Sequence, residues 1–293
     1  MDELKINFSI VIPAYNEAGV IATVLQRLVE GLRDHRYELL VVDDGSTDET
    51  AAQAGAVGSC VRVVRHPYNM GNGAAIKTGI RQARGEILVF MDADGQHSPE
   101  DIPRLLRENQ HYDMVVGARG KESQAGWHRR VANGLYNHLA SYVTGRQIGD
   151  LTSGFRSLRR DVARRFISLL PNGFSYPTTL TLCLMRAGFS VQYIPIEAAR
   201  RQGKSKIKLL ADGTKFLLVI VKICMLFAPF KIFLPVSLYL FLMGIGYYGY
   251  TFFTQHRFTN MSMLLFTTAV MIFMMGLIAE QVAQMRFERT EDP

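Results

Sequence analysis

Two stretches of this chain carry no charge over lengths that dictate their surroundings: 22 residues from Ile232 to Phe253 and 19 from Met261 to Ala279. As a helix rising 1.5 Å per residue, the first reaches about 33 Å, enough to cross a hydrocarbon core about 30 Å thick. In lipid every backbone N–H and C=O must find a partner within its own segment or a closed barrel, so two isolated apolar runs imply helices. The spans are predicted at about 232–253 and 261–279, within a 231–285 membrane region. Residues Thr254–Asn260 between them leave room only for a tight helical hairpin. Both runs lie far from the polar stretch Met1–Asn7, so neither reads as a signal peptide.

The charge pattern agrees with a membrane setting. Between Arg200 and Lys231 stand eight lysines and arginines against the single acid Asp212, an excess of seven that equals the +7 of the whole chain. A basic run before a span suits an anionic leaflet or a phosphorylated lipid, and it is also the ordinary positive-inside signal. No aromatic residue interleaves with these charges before Phe216, which disfavours nucleic acid as a partner. Lys215, Lys222 and Lys231 precede the first span, only Arg257 lies between the spans, and Arg286 and Arg289 follow the second. Both termini are therefore expected on the cytoplasmic side of a multi-pass cell-membrane protein, with 286–293 as a cytoplasmic tail. Residues 207–230, apolar but broken by lysines, are predicted to lie along the interface as an amphipathic juxtamembrane segment. Three scattered cysteines, Cys60, Cys183 and Cys224, show neither metal-ligand spacing nor a disulfide framework.

Ahead of the membrane region, 1–206 reads as one soluble domain. Short β-branched runs at Phe8–Ile12, Leu39–Val42, Val61–Val64, Ile87–Met91 and Met114–Val116 predict strands. Helices are predicted between them at Ala18–Leu32, Thr47–Ala54, Ala74–Arg84 and Glu100–Asn109. The alternation indicates an α/β domain with a mainly parallel, doubly covered sheet, whose ligands sit at the carboxyl ends of the strands. Farther on, Arg129–Val143 and Arg160–Leu169 read as helices and Val191–Pro195 as a strand.

The carboxyl ends carry the chemistry. The first strand runs into Pro13-Ala14-Tyr15-Asn16-Glu17, the second ends in Asp43-Asp44-Gly45-Ser46-Thr47-Asp48, and the fourth in Asp92-Ala93-Asp94-Gly95-Gln96. An Asp-x-Asp pair in a flexible turn offers hard oxygen ligands suited to Mg²⁺ or Mn²⁺ on a diphosphate, although Asp and Gly also serve ordinary turns. An EF-hand is excluded because position twelve counted from Asp92 is Pro103. Asn69-Met70-Gly71-Asn72-Gly73-Ala74 enters a helix but lacks both the dinucleotide fingerprint and the Walker lysine, and by itself shows only a tight turn. His66 and His97 read as turn residues without a role, and the lone Trp127 as a membrane-interface residue.

Taken in order, PAYNE, VVDDGSTD, NMGNGAA and DADGQHSPED resemble the family 2 glycosyltransferases of the GT-A fold, nearest the dolichyl/polyprenyl-phosphate sugar synthases. Asp150-x-x-Ser153-Gly154-Phe155-Arg156 and Arg200-x-x-Gly203-x-Ser205-Lys206 match that branch too, so the likeness covers about 8–208. It implies a Rossmann-like GT-A catalytic domain on the cytoplasmic face, followed by the hairpin anchor. It implies that Pro13, Tyr15, Glu17, Asp44 and Asp92 border the nucleotide, with Asp44 on its base. Asp92, Asp94 and Gln96 would hold the metal, Mg²⁺ or Mn²⁺. Arg119, Arg129, Arg200 and Lys206 would meet the acceptor phosphate, and Asp94 and Asp150 would be catalytic. One departure is Asn72, where relatives often carry lysine, so no phosphate-binding charge is assigned to that loop.

The activity so implied is inverting transfer of a single hexose, mannose or glucose foremost, from a GDP- or UDP-linked sugar to a polyprenyl phosphate. The alternatives are a glycosyltransferase for another lipid or glycan acceptor, and an inactive nucleotide- or lipid-binding membrane adaptor. Processive synthases use Gln-x-x-Arg-Trp, whereas Trp127 follows Ala125-Gly126 here. A homo-oligomer is compatible with all of these readings.

Overall fold

The computed structural model describes residues 6–120, 144–173, 175–197 and 227–291, with 134, 137, 140–142 and 225 as isolated positions. It divides into two compact units, Met1–Ile207 and Lys208–Pro293. The first is built on a seven-stranded sheet: β1 Phe8–Ala14, β2 Tyr37–Asp43, β3 Val61–Arg65, β4 Ile87–Phe90, β5 Met114–Arg119, β6 Arg156–Arg159 and β7 Val191–Ile196. Their order is β3-β2-β1-β4-β6-β5-β7. All pairings are parallel except those of β6, which runs antiparallel to both β4 and β5.

Strand β1 is buried at all seven positions, as a central strand covered on both faces must be. One cover is helix α1 (Ile21–Gly31), whose buried Ile21, Val24, Leu25 and Leu28 recur at helical spacing. Helices α2 (Thr50–Gly55), α3 (Asn72–Gln82) and α4 (Ile102–Glu108) follow β2, β3 and β4 in turn. The chain steps outward from β1 to β2 and β3, then returns to place β4 on the other side of β1. Such a reversal opens a crevice at the carboxyl ends of the strands beside it. The predicted PAYNE, DDGSTD and DADGQ turns all leave the sheet there.

Two elements were not foreseen from the sequence, β6 and a helix α6 over Tyr176–Arg186. The helix expected at Arg160–Leu169 is shorter: α5 covers Arg160–Arg165, and a 3₁₀ turn follows at Ile167–Leu169. The helix expected at Arg129–Val143 and the interfacial segment expected at 207–230 fall largely outside the described residues. Cys183 is fully buried within α6, Cys60 is partly buried, and Cys224 is outside the described residues.

In the second unit, α7 (Phe230–Gln255) and α8 (Asn260–Glu291) form the hairpin. Both are long and apolar enough to cross a membrane by length and composition. The helices extend beyond the expected spans, so the connection is only 256–259, and His256 ends α7 in the left-handed conformation at φ 50°. Edge-on aromatic pairs Phe230–Phe273 and Phe241–Phe266, with centroids 5.8 and 5.3 Å apart, set the register of the two helices. A carboxylate oxygen of Glu280 accepts the Phe230 N–H at 3.3 Å, satisfying one of the donors that the start of α7 leaves open.

Candidate active site

The turns after β1 and β2 are stitched together by backbone N–H groups, hydroxyls, an amide and a carboxylate. Asn16, held at φ 55°, donates its N–H to the Ser46 hydroxyl at 3.0 Å and accepts the Thr47 N–H at 2.9 Å. Glu17 donates its N–H to the Thr50 hydroxyl, and Ala18 to an Asp48 oxygen at 3.2 Å. Burial opposes ionisation of Asp48, but hydrogen bonds from Thr50 and Ala18 outweigh it and hold the carboxyl below its usual range. Pro13 is buried at the end of β1, while Tyr15 stands 37% exposed over the crevice rim.

Asp44 faces inward. Its carboxylate accepts the N–H groups of Met70 and Gly71 at 2.9 and 2.8 Å and lies 2.8 Å from Nδ1 of His66. The other ring nitrogen, Nε2, lies 2.9 Å from the Thr78 hydroxyl. His66 is therefore a buried strut between Asp44 and α3, and the expectation of a turn residue without a role is corrected. Asp44 ties down the glycine loop, so a nucleotide base would share a carboxylate that already has three partners.

At the start of α3 that loop packs against the backbone of 171–173. The Ala74 N–H is shared by the carbonyls of Gly71 and Asn172, at 2.9 and 3.1 Å. A Cβ on Gly73 would lie 2.1 Å from the Pro171 carbonyl oxygen, so only glycine lets this backbone approach. Lys77 fastens the same segment, donating to the Leu170 carbonyl at 3.1 Å and to the Asn172 side chain. Burial lowers the pKa of Lys77, with Arg81 adding to the effect.

Beyond β4, Asp94 accepts the Gln96 N–H at 3.2 Å within its own turn. Asp92 approaches the chain of the β6 approach so closely that a Cβ on Gly154 would be 2.7 Å from its Oδ2. Among the described residues no three His, Cys, Asp or Glu side chains gather as a ready-made metal cage. Two carboxylates and an amide in one turn instead make a half-set of hard oxygen donors. Such a set fits a divalent ion that takes its other ligands from a diphosphate or water. His97 follows, buried, with its ring stacked on Phe155 at 4.8 Å and 12°. Burial, opposed by Asp94, lowers its pKa to about 4, so it is neutral near pH 7. It too was expected to have no role, and it joins the DADGQH turn to the SGFR turn.

Across β6, Arg119 grips Asp150. Nε donates to one carboxylate oxygen at 2.9 Å, Nη2 to the other at 3.2 Å, and Nη2 also meets the Thr152 hydroxyl at 2.8 Å. Asp150 is 3% exposed; burial opposes its charge, but the bonds from Arg119 prevail and lower its pKa. Arg119 responds in kind: burial works against its charge, Asp150 more than restores it, and its pKa is raised. The remaining nitrogen, Nη1, takes no part in this grip. Arg129, Arg200, Lys206 and Trp127 lie outside the described residues.

The chain matches the profile of glycosyl transferase family 2 over residues 9–167 and that of the GtrB C-terminal hairpin over 228–285. Among known proteins it is 34% identical to the undecaprenyl-phosphate 4-deoxy-4-formamido-L-arabinose transferase of Serratia proteamaculans over 186 residues, which is 58% of this chain and 57% of that one. It is 31% identical to the dodecaprenyl-phosphate galacturonate synthase of Rhizobium johnstonii, over 55% of this chain and 50% of that one. The chain thus spans somewhat over half the length of the first relative and half of the second. Among solved structures, its fold is similar to that of glucosyl-3-phosphoglycerate synthase from Mycobacterium tuberculosis crystallised with Mn²⁺, UDP and phosphoglyceric acid. That likeness has a TM-score of 0.60 at 22% identity, covering 74% of this chain and 78% of that one.

Proposed function

Since this chain belongs to glycosyl transferase family 2, with a GT-A sheet followed by a GtrB-type hairpin, we propose that it moves one hexose from a GDP- or UDP-linked donor to a polyprenyl phosphate at the cytoplasmic membrane face. In this reading 1–206 is the catalytic domain, 207–230 the juxtamembrane segment and 231–285 the anchor, with both termini cytoplasmic. The donor lies along the β1–β2–β4 crevice, bordered by Pro13, Tyr15, Glu17 and Asp44. Asp92, Asp94 and Gln96 are the ligands for Mg²⁺ or Mn²⁺. When bound there, the ion offsets negative charge on the departing nucleoside diphosphate.

The observation that carries the acceptor assignment is the grip of Arg119 on Asp150. Inversion forms the new bond from an acceptor oxygen to the anomeric carbon while the nucleoside diphosphate leaves from the opposite face. A hydroxyl acceptor must lose a proton as that bond forms and needs a carboxylate free to take it. Asp150 is buried, paired and lowered in pKa, so it is poorly suited to receive one. A phosphate monoester needs no base, because its second pKa is about 6 and it is mostly dianionic near neutral pH. Arg119 then presents its remaining nitrogen to the acceptor phosphate, with Arg129, Arg200 and Lys206 as further cationic contacts. The apolar hairpin agrees with a lipid carrier, as do the polyprenyl-phosphate acceptors named for the relatives above.

The test is a donor screen on purified protein, scoring label transferred from UDP- and GDP-sugars to a short polyprenyl phosphate. One donor is expected to give a phosphodiester-linked lipid sugar whose anomeric configuration is inverted. Transfer to hydroxyl acceptors alone, or no turnover with every donor, would overturn the proposal.

A further inference from the structure

A carboxylate offers about four acceptor positions, two on each oxygen. On Asp44 three of them are taken. Oδ1 accepts the Met70 N–H at 2.9 Å and lies 2.8 Å from Nδ1 of His66, and Oδ2 accepts the Gly71 N–H at 2.8 Å. Whichever atom carries the proton, the His66 contact fills a position on Oδ1. One position remains, and it is on Oδ2.

Each of the three partners is fixed from behind. His66 is held at both ends, its Nε2 by the Thr78 hydroxyl at 2.9 Å and its backbone N–H by the Asp43 carbonyl at 2.8 Å. The chain leading to Met70 is pressed onto the turn after β2, where a Cβ on Gly45 would lie 2.4 Å from the Tyr68 carbonyl carbon. Behind Gly71, an added Cβ would lie 2.4 Å from the Asn172 carbonyl oxygen, and the Ala74 N–H meets that same oxygen at 3.1 Å. Backbone packed this closely does not turn aside for a ligand. The single position on Asp44 is therefore built into the site, and a base must match it.

The two donor classes differ at this point. Guanine carries N1–H and its 2-amino group side by side, and a carboxylate receives such a pair with one donor on each oxygen. Asp44 has no room for that, because Oδ1 is full. Uracil carries one donor on the same edge, N3–H, between two carbonyl oxygens. It needs one position.

We infer that the donor is a uridine nucleotide, with the uracil N3–H donating to Oδ2 of Asp44. Guanine at the same place would leave one of its two donors out of water without an acceptor, which opposes binding. Asp44 is only 3% exposed, and in such surroundings both the bond made and the bond missed weigh more than at an open surface. This rests on the reading of Asp44 as bordering the nucleotide base, and it narrows that reading to one base.

The experiment titrates the full-length, detergent-solubilised wild-type protein calorimetrically with UDP, CDP, N3-methyl-UDP and GDP, with Mg²⁺ in every buffer. UDP is expected to bind about tenfold or more tightly than each of the others, the factor that one hydrogen bond to a charged group contributes. CDP matches UDP in size but has a bare nitrogen at N3, and N3-methyl-UDP keeps both carbonyl oxygens but has no N–H. A loss with both analogues therefore comes from the missing donor, and neither the diphosphate nor the size of the base explains it. GDP binding as tightly as UDP, or either analogue doing so, overturns the inference alone and leaves the donor crevice in place. No binding of any nucleotide overturns the donor crevice and the inference with it.

Discussion

On the β1–β2 side of the site, Asp44 and Asp48 are held by backbone N–H groups, hydroxyls and a histidine, whereas across β4 a guanidinium grips Asp150 and Arg156 is buried whole. The first side fixes geometry through short polar turns, and its ion pair, Arg65 with Asp43 at 3.1 Å, has a largely exposed arginine. The second is a charge balance inside the protein, where removing one member leaves another uncompensated. Loss of a partner should therefore be tolerated better on the donor side than across β4. The Asp92–Asp94 turn lies between the two, and the sharpest effects belong there.

Asp94→Ala should lower transfer at least ~100-fold, since removing one preorganised stabiliser of developing charge commonly costs that much. Stability should change little, because Asp94 sits partly exposed in a turn. Near-normal turnover, or full activity in excess chelator, would remove the metal from the mechanism.

Next in size is the pair across β6. Arg119→Met leaves Asp150 buried without its cation and is expected to cost about 3 kcal/mol in a denaturant titration. The double variant Arg119→Met with Asp150→Leu should recover most of that loss, because a well-packed apolar pair often replaces a buried ion pair without penalty. If the double variant is no more stable than Arg119→Met, the cost is local packing and the contrast drawn above fails on this side.

The donor side should respond more weakly. Asp44→Ala removes the acceptor for the Met70 and Gly71 N–H groups and is expected to cost about 1–2 kcal/mol, since loop donors can turn to water. The loosened glycine loop should raise the donor KM while leaving the KM for lipid phosphate unchanged. Equal rises in both would show that the loop and the acceptor site are coupled.

How much of this could be read from the sequence follows the same divide. The strands β1 to β5 announce themselves as β-branched runs, and the turns after them carry Asp, Gly and Pro in patterns with a mechanism. Strand β6 reads Arg-Ser-Leu-Arg, yet Arg156 and Ser157 are fully buried; arginine and serine are ordinarily exposed, so hydrophobic periodicity passes over it. Helix α6 is buried nearly all around and rich in Thr, which removes the amphipathic stripe that would mark it. Asp44, Asp92, Asp94, Arg119 and Asp150 were identifiable as candidates, but not their partners. Asp44 meets residues 26 and 27 positions away, and Arg119 meets Asp150 across 31. The tasks of His66, His97 and Arg156 depend on tertiary packing, which spacing along the chain does not encode. For His97 and Arg156 the only available signal was their position inside motifs already singled out, and His66 lies outside all of them.

The smallest expected effect is the most discriminating, because it is a shift that should not occur. If the acceptor is a phosphate monoester, wild-type turnover should rise once, near pH 6, as the lipid phosphate becomes a dianion. Asp150→Asn keeps the side-chain shape and an acceptor oxygen for Arg119, so turnover should fall less than about tenfold, a loss of orientation rather than of a proton-transfer step. The rise near pH 6 should stay in place. Stability should separate from rate in this variant. The folded pKa of Asp150 is lowered, so its contribution is fully present above the unfolded carboxylate pKa of about 3.9 and is lost as pH falls through the folded value. Asp150→Asn should therefore flatten the acid limb of the stability profile below pH 4 while leaving the rate profile around pH 6 untouched. A rate profile whose rise disappears in Asp150→Asn would make Asp150 a general base after all, and the acceptor would then be a hydroxyl.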